Sequence, residues 1–266
     1  MTKGQIATIL FALALLLGMY YGCDRKPPQQ KALEQSRSLV VEATDVTNLE
    51  EDARSALSPS ERGTLGALQA ELEQAITDSA KVEAYKQLSS RWFAFGHPAI
   101  AGHYAQQVAE ITNTEEAWSI AGTTYSIGLQ RSEEEDVRSF CSNRAILAFE
   151  NAISLNPDNP ANEVNLALVY TENPPKENPM QGVQMLLSLN KEYPDNVYIL
   201  NNLGRLAIRT GQYARALERL QRAQGLAPEN PNTNCLLAEA YQGNGQEQEA
   251  EQFRQRCQEL RSKPSS

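Results

Sequence analysis

The sequence predicts an all-α protein: a right-handed superhelical solenoid of helix-turn-helix repeats, preceded by an N-terminal transmembrane helix and a helical stalk. Residues 197–230 and 231–264 align at a period of 34 residues, with Leu203-Gly204 matching Leu237-Ala238. A fixed period of about 20–50 residues is typical of stacked repeats. Composition agrees, because aromatic residues make up only 7 % of the chain and the abundant Ala, Leu, Gln and Glu favour helices.

The first element is an apolar segment without charge, residues 6–23. As a helix it would span about 27 Å, enough to cross the core of a bilayer. Three interpretations stay open for residues 1–23: an uncleaved anchor that contacts the bilayer through residues 6–22, a cleaved signal segment, or a lipoprotein. The last rests on Cys23, because a Cys directly after an apolar run resembles the lipidation site of bacterial lipoproteins.

The orientation of this segment follows from the basic residues that flank it. Lys3 precedes it, and Arg25, Lys26, Lys31 and Arg37 follow it. A literal count of positive charges would put the large domain in the cytoplasm, whereas a short basic N-terminal tail more often stays inside. We expect a single-pass membrane protein whose folded part lies on the exported side.

Two segments connect the membrane to the repeats. Residues 24–57 predict a juxtamembrane helical stalk or linker, and residues 58–81 predict a lead-in helix. The start of that helix is well marked, because Ser58 can cap it, Pro59 suits the first turn and Glu61 completes a capping box.

Residues 82–264 predict the repeat array, in five units: about 82–114, 115–159, 160–196, 197–230 and 231–264. In the best-defined unit, Gly204 and Ala216 are small enough to let two helices approach, while Leu203 and Leu220 fill the space toward the next unit. The second unit has 11 extra residues between its halves, about three helical turns, which predicts longer helices in the same phase. A polar last unit is expected, because the end of a solenoid faces water.

This pattern of large and small residues, with Pro near the end of the unit, resembles the tetratricopeptide repeat. The resemblance implies a concave groove, lined by the first helix of each unit, that binds proteins or peptides. It also implies these groove-facing positions: Tyr198, Asn201, Arg205, Ile208 and Arg209 in one unit, and Val164, Leu168 and Thr171 in the preceding one.

The charge of one unit, which we name the basic unit, is unusual for this chain. Residues 197–230 carry five Arg against two Glu, whereas the whole protein has a net charge of −9. Asn side chains can pair with a peptide backbone and Arg with a carboxylate, so the groove suits a protein or peptide partner. The alternative, in which Arg205 and Arg209 are ordinary surface charges, stays open.

Several functions are disfavoured. A pI near 4.9 argues against nucleic-acid binding. No enzyme motif is present, and no cofactor or metal is expected: His97 reads as a turn residue, and His103 has no nucleophile within sequence reach. The four Cys show no CxxC spacing, so we expect Cys141, Cys235 and Cys257 to be small buried hydrophobes.

These observations predict a membrane-anchored protein that is not an enzyme. Its expected function is protein–protein interaction, as an adaptor or a scaffold for complex assembly, through the concave groove of the repeats. The alternative is an exported lipoprotein, anchored at Cys23, that acts as an envelope assembly factor.

Overall fold

The computed structural model describes residues 46–263, and every regular element within that range is an α-helix. The prediction of an all-α protein is therefore confirmed for this part of the chain. The predicted membrane segment, with Cys23, and the first part of the predicted stalk lie outside the described residues. The helices, in chain order, are α1 Val46–Ala56, α2 Pro59–Gln74, α3 Asp78–Ala94, α4 Pro98–Thr112, α5 Glu115–Arg131, α6 Glu135–Leu155, α7 Pro160–Glu172, α8 Gln181–Glu192, α9 Val197–Arg209, α10 Tyr213–Leu226, α11 Pro231–Gly243 and α12 Glu247–Ser262.

None of the helices between residues 46 and 263 combines the length and the apolar character that a bilayer span requires.

Helices α3 to α12 form five hairpins of consecutive helices, from α3 with α4 to α11 with α12. The second helix of each hairpin also packs on the first helix of the next hairpin. The first helices of neighbouring units touch as well, α5 with α7 and α9 with α11. The second unit contains the two longer helices that its extra residues predict, with 17 residues in α5 and 21 in α6. The result is a stack of helical hairpins with its core between them.

Close approach of neighbouring helices depends on glycine. A Cβ atom at Gly204 of α9 would lie 2.7 Å from the side chain of Leu220 in α10. A Cβ at Gly122 of α5 would lie 2.7 Å from Phe149 in α6. At Gly182 of α8 the added atom would overlap a backbone carbonyl of α7. Any larger residue at these positions would have to push two packed helices apart.

Helix α1 belongs to the same packed body. Its Ala53 and the following Leu57 are buried together with Trp92. The hydroxyl of Tyr104 in α4 donates to the Glu50 carboxylate at 3.0 Å, and the Arg54 guanidinium donates to the same carboxylate at 2.6 Å. The packed region therefore begins within the segment that the sequence suggested as a linker.

The start of α2 matches its sequence signature. The Glu61 backbone N–H donates to the Ser58 hydroxyl at 3.3 Å, and the Ser58 backbone N–H donates to the Glu61 carboxylate at 2.8 Å. Pro59 is the first residue of the helix. The hydrogen bonds from Ser58 hold the pKa of the Glu61 carboxyl below its ordinary value. The predicted capping box is therefore present.

Two of the cysteines correct an expectation. Cys235 of α11 and Cys257 of α12 form a disulfide with a Cα–Cα distance of 5.0 Å, so the expectation that they are free small hydrophobes was wrong, although Cys257 is buried as expected. They occupy positions 5 and 27 of a unit counted from residue 231, where the two helices of the hairpin face each other. Cys141 is free and buried, and burial raises the pKa of its thiol to about 12. It therefore behaves as the small hydrophobe that was expected.

We predict that Gly182→Ala lowers the free energy of unfolding by about 1–3 kcal/mol, because the new methyl group would overlap the backbone of α7. The matched control is Gly225→Ala in α10, where an added Cβ meets nothing within 4 Å. That change should raise stability by about 0.4–1 kcal/mol. Urea denaturation of both variants measures the difference, and equal stabilities would contradict the tight crossing of α7 and α8.

We also predict that the Cys235→Ser, Cys257→Ser double variant is about 3 kcal/mol less stable than the parent, because the bond closes a loop with a sequence separation of 22 residues. Thermal melting with and without a reductant checks this. The reductant should lower the Tm of the parent and leave that of the double variant unchanged. A parent insensitive to reductant would argue against the bond.

Candidate functional site

The first helices of units two to five carry side chains that bridge from one helix to the next. The Asn162 amide of α7 hydrogen-bonds the Glu115 carboxylate of α5. The Tyr198 hydroxyl of α9 donates to the Asn165 side-chain oxygen of α7 at 2.6 Å. These bonds join α5, α7 and α9. We name the surface formed by the first helices of all five units, α3, α5, α7, α9 and α11, the first-helix face.

The next bridge is buried. The Thr233 hydroxyl of α11 donates to the Asn201 side-chain oxygen of α9 at 3.0 Å. Asn201 is 2 % exposed and Thr233 is fully buried. This hydrogen bond therefore lies inside the contact between α9 and α11, away from solvent.

The eight predicted groove residues fall into three groups. Tyr198, Arg205 and Arg209 are exposed; Leu168, Thr171 and Ile208 are half-buried; Val164 and Asn201 are buried. Val164 belongs to the core between α7, α8 and α9. In these two units position 5 therefore lies against a neighbouring helix, and only the exposed and half-buried members are accessible to a partner.

The arginines of the basic unit are partly neutralised within the fold. Arg209 forms an ion pair with Glu172 of α7, and Arg222 pairs with Asp195 at 2.8 Å. Arg205 is exposed and makes only a long hydrogen bond, 3.4 Å, to the side chain of Asn232. Its guanidinium remains available to a carboxylate.

An apolar groove opens on the first-helix face between α3 and α5, and we name it the α3–α5 groove. Its volume is about 570 Å³. The apolar residues that line it are Phe93 from α3, Ala105 and Val108 from α4, and Ala117, Ile120 and Ile127 from α5. Phe93 and Ile120 are 37 % and 53 % exposed, unusually high for large apolar side chains.

The residues of this groove were not among the predicted site residues, although the repeat register points to them. Positions 5, 9 and 12 of the first unit, counted from residue 82, are Lys86, Ser90 and Phe93, and all three line the groove. The groove-facing repeat positions that were applied to residues 197–230 identify these residues when they are applied to the first unit. The guanidinium carbon of Arg131, from the end of α5, lies 5.5 Å from the centre of the Phe93 ring.

One of the two histidines lies in a turn and the other within α4. His97 lies in the turn between α3 and α4, as predicted, and burial lowers the pKa of its imidazole while the charge of Glu61 opposes this. The His103 ring lies edge-on to Tyr104. Over the described range, 46–263, no cluster of three or more His, Cys, Asp or Glu side chains could hold a metal ion.

Comparison with known proteins agrees with the repeat pattern. Residues 207–256 match the tetratricopeptide repeat family, so this part of the array carries a repeat of that type. No curated protein matches the sequence.

Solved structures with a similar chain course include two named proteins. One is MamA (41-end) from Desulfovibrio magneticus RS-1, at 20 % identity and a TM-score of 0.43, covering 72 % of this chain and 100 % of that one. The other is PilW, a widely conserved type IV pilus biogenesis factor, at 20 % identity and a TM-score of 0.46, covering 69 % of this chain and 79 % of that one.

We predict that Asn201→Ala costs about 1–3 kcal/mol of stability, because it leaves the fully buried Thr233 hydroxyl without its acceptor. Tyr198→Phe removes a shorter hydrogen bond at an exposed position and should cost less than about 1 kcal/mol. Chemical denaturation compares the two. If Asn201→Ala were as stable as Tyr198→Phe, the buried bridge would not hold α9 to α11.

Proposed function

We propose that this protein mediates protein–protein interaction at a membrane, as an adaptor or a scaffold for complex assembly, through its first-helix face. The observation that carries the proposal is the structure of that face. Side-chain bridges tie its helices together, and it still exposes Arg205, Tyr198 and the α3–α5 groove. A tetratricopeptide repeat at residues 207–256 supports the same function.

Rigidity is what makes such a face useful for binding. A surface built on packed helices loses little conformational entropy when a partner arrives. Exposed Arg and Tyr side chains are common among the residues that contribute most to interfaces. Arg205 can take a carboxylate, and Tyr198 offers a ring beside it.

Membrane attachment rests on the apolar segment at residues 6–23. For the compartment we propose the exported side. The Cys235–Cys257 disulfide supports this choice, because disulfides persist in oxidising environments and are rare in the cytosol.

A second candidate is an exported lipoprotein, attached through Cys23, that helps to assemble envelope complexes. The apolar run directly before that Cys favours it. Labelling with a radioactive fatty acid separates the two, because a lipoprotein incorporates the label and loses it in a Cys23→Ser variant. A single-pass anchor takes up none at this position.

We predict that Arg205→Glu in the full chain abolishes crosslinked capture of its partner from native membranes, because the charge that meets the partner carboxylate is reversed. The matched control is Arg215→Glu on α10, which is also exposed and hydrogen-bonds only its neighbour Gln212. Both variants should melt like the parent. Equal capture by the two variants would mean that the basic part of the first-helix face is not a binding surface.

A further inference from the structure

The α3–α5 groove differs from the basic part of the first-helix face in its chemistry. Most of its accessible surface is apolar, although several hydroxyl side chains also line it, and two large side chains, Phe93 and Ile120, face solvent there. A concave apolar surface with a few polar groups at its rim is typical of a binding site. The rim groups here are Lys86 of α3 and Glu116 of α5, both exposed.

The groove offers an occupant few hydrogen bonds. The Ser89 hydroxyl donates to the backbone oxygen of Ala101 at 2.9 Å, and the Thr112 hydroxyl donates to that of Val108 at 2.9 Å. The Thr124 hydroxyl donates to the backbone oxygen of Ile120 at 2.7 Å. The backbone groups of the walls are paired inside their own helices. These three hydroxyls therefore already donate within the protein itself, whereas the exposed hydroxyl of Ser90 stays accessible to an occupant.

This restricts the conformation of the occupant. An extended peptide would bring backbone N–H and C=O groups into the apolar groove without partners, at a cost of about 1–3 kcal/mol for each unpaired group. An amphipathic helix pairs its own backbone and presents side chains only. The groove therefore favours a helix.

The dimensions and charges of the groove define that helix further. The lining residues run from Lys86 to Phe93 on α3 and from Glu116 to Ile127 on α5, which corresponds to about 10–17 Å of helix. Two to three turns with apolar residues at i, i+3 or i+4, and i+7 would fill this length. An acidic side chain of the occupant can meet Lys86.

We infer that the α3–α5 groove binds an amphipathic helix of a partner protein, two to three turns long, with an acidic residue placed against Lys86. The inference rests on the proposed function and names the partner chemistry of one part of the first-helix face.

The test begins with a photo-crosslinking amino acid in the full chain in its native membranes. One variant carries benzoylphenylalanine at Ser90, an exposed residue of the groove, and the control carries it at Leu187 of α8, which is 39 % exposed outside the groove. Mass spectrometry maps the crosslinked segment. We expect the Ser90 probe, and not the Leu187 probe, to capture a segment of another protein with an apolar stripe of helical period.

A synthetic peptide of the mapped segment completes the test. Circular dichroism should show a gain of helix when the peptide binds the full chain. Ile120→Glu should weaken its binding at least about tenfold, Lys86→Glu should weaken it less, and Leu187→Glu should leave it unchanged. Ile120 is largely exposed, so its variant should keep the parental Tm.

Several results would overturn the inference. The Ser90 probe could give no specific crosslink, or it could crosslink residues 1–45 of the same chain or a second copy of the chain. The captured segment could also stay extended when it is bound. If capture depends on Arg205 but not on Ile120, the proposed function stands and the helix-binding groove is refuted. If capture depends on neither, both fail.

Discussion

The close crossing of neighbouring helices is the constraint on which this fold depends. At several crossings one helix supplies a glycine where a Cβ would collide with the neighbouring helix, such as Gly102 against Tyr125, Gly122 against Phe149 and Gly204 against Leu220. Helices this close bury aromatic and aliphatic side chains completely and leave no room for adjustment. The three central hairpins, α5–α6, α7–α8 and α9–α10, share this requirement, which therefore contributes to the period of the sequence.

Once the hairpins are stacked, the first helices share one face, and the contacts between them decide what that face can do. From α5 to α11 the contacts include polar bridges, such as Tyr198 to Asn165 and Thr233 to Asn201. Between α3 and α5, Arg131 lies above the ring of Phe93, and an apolar groove opens between the two helices. Local differences in packing thus give one repeated scaffold two chemically different surfaces, one basic and one apolar.

The sequence predicts the features that depend on neighbouring residues or on the period. Examples are the Ser58 capping box, the longer helices of the second unit and the need for a small residue at Gly204. It could not predict features that depend on which side chain meets which across helices. The burial of Asn201 requires its partner Thr233, 32 residues away. The disulfide and the α3–α5 groove likewise depend on which repeat positions face each other across helices. The period indicates these positions only when the repeat numbering is applied to every unit.

A partner docked on the first-helix face, and on the α3–α5 groove within it, should shield both from solvent. Hydroxyl-radical footprinting of the full chain, in native membranes and after purification, measures this shielding. We expect Phe93 and Ile120 to be oxidised less in membranes than in the purified protein. Met180 and Leu226, which are exposed to a similar extent outside this face, should react equally in both. Equal oxidation of all four residues in the two samples would contradict the account.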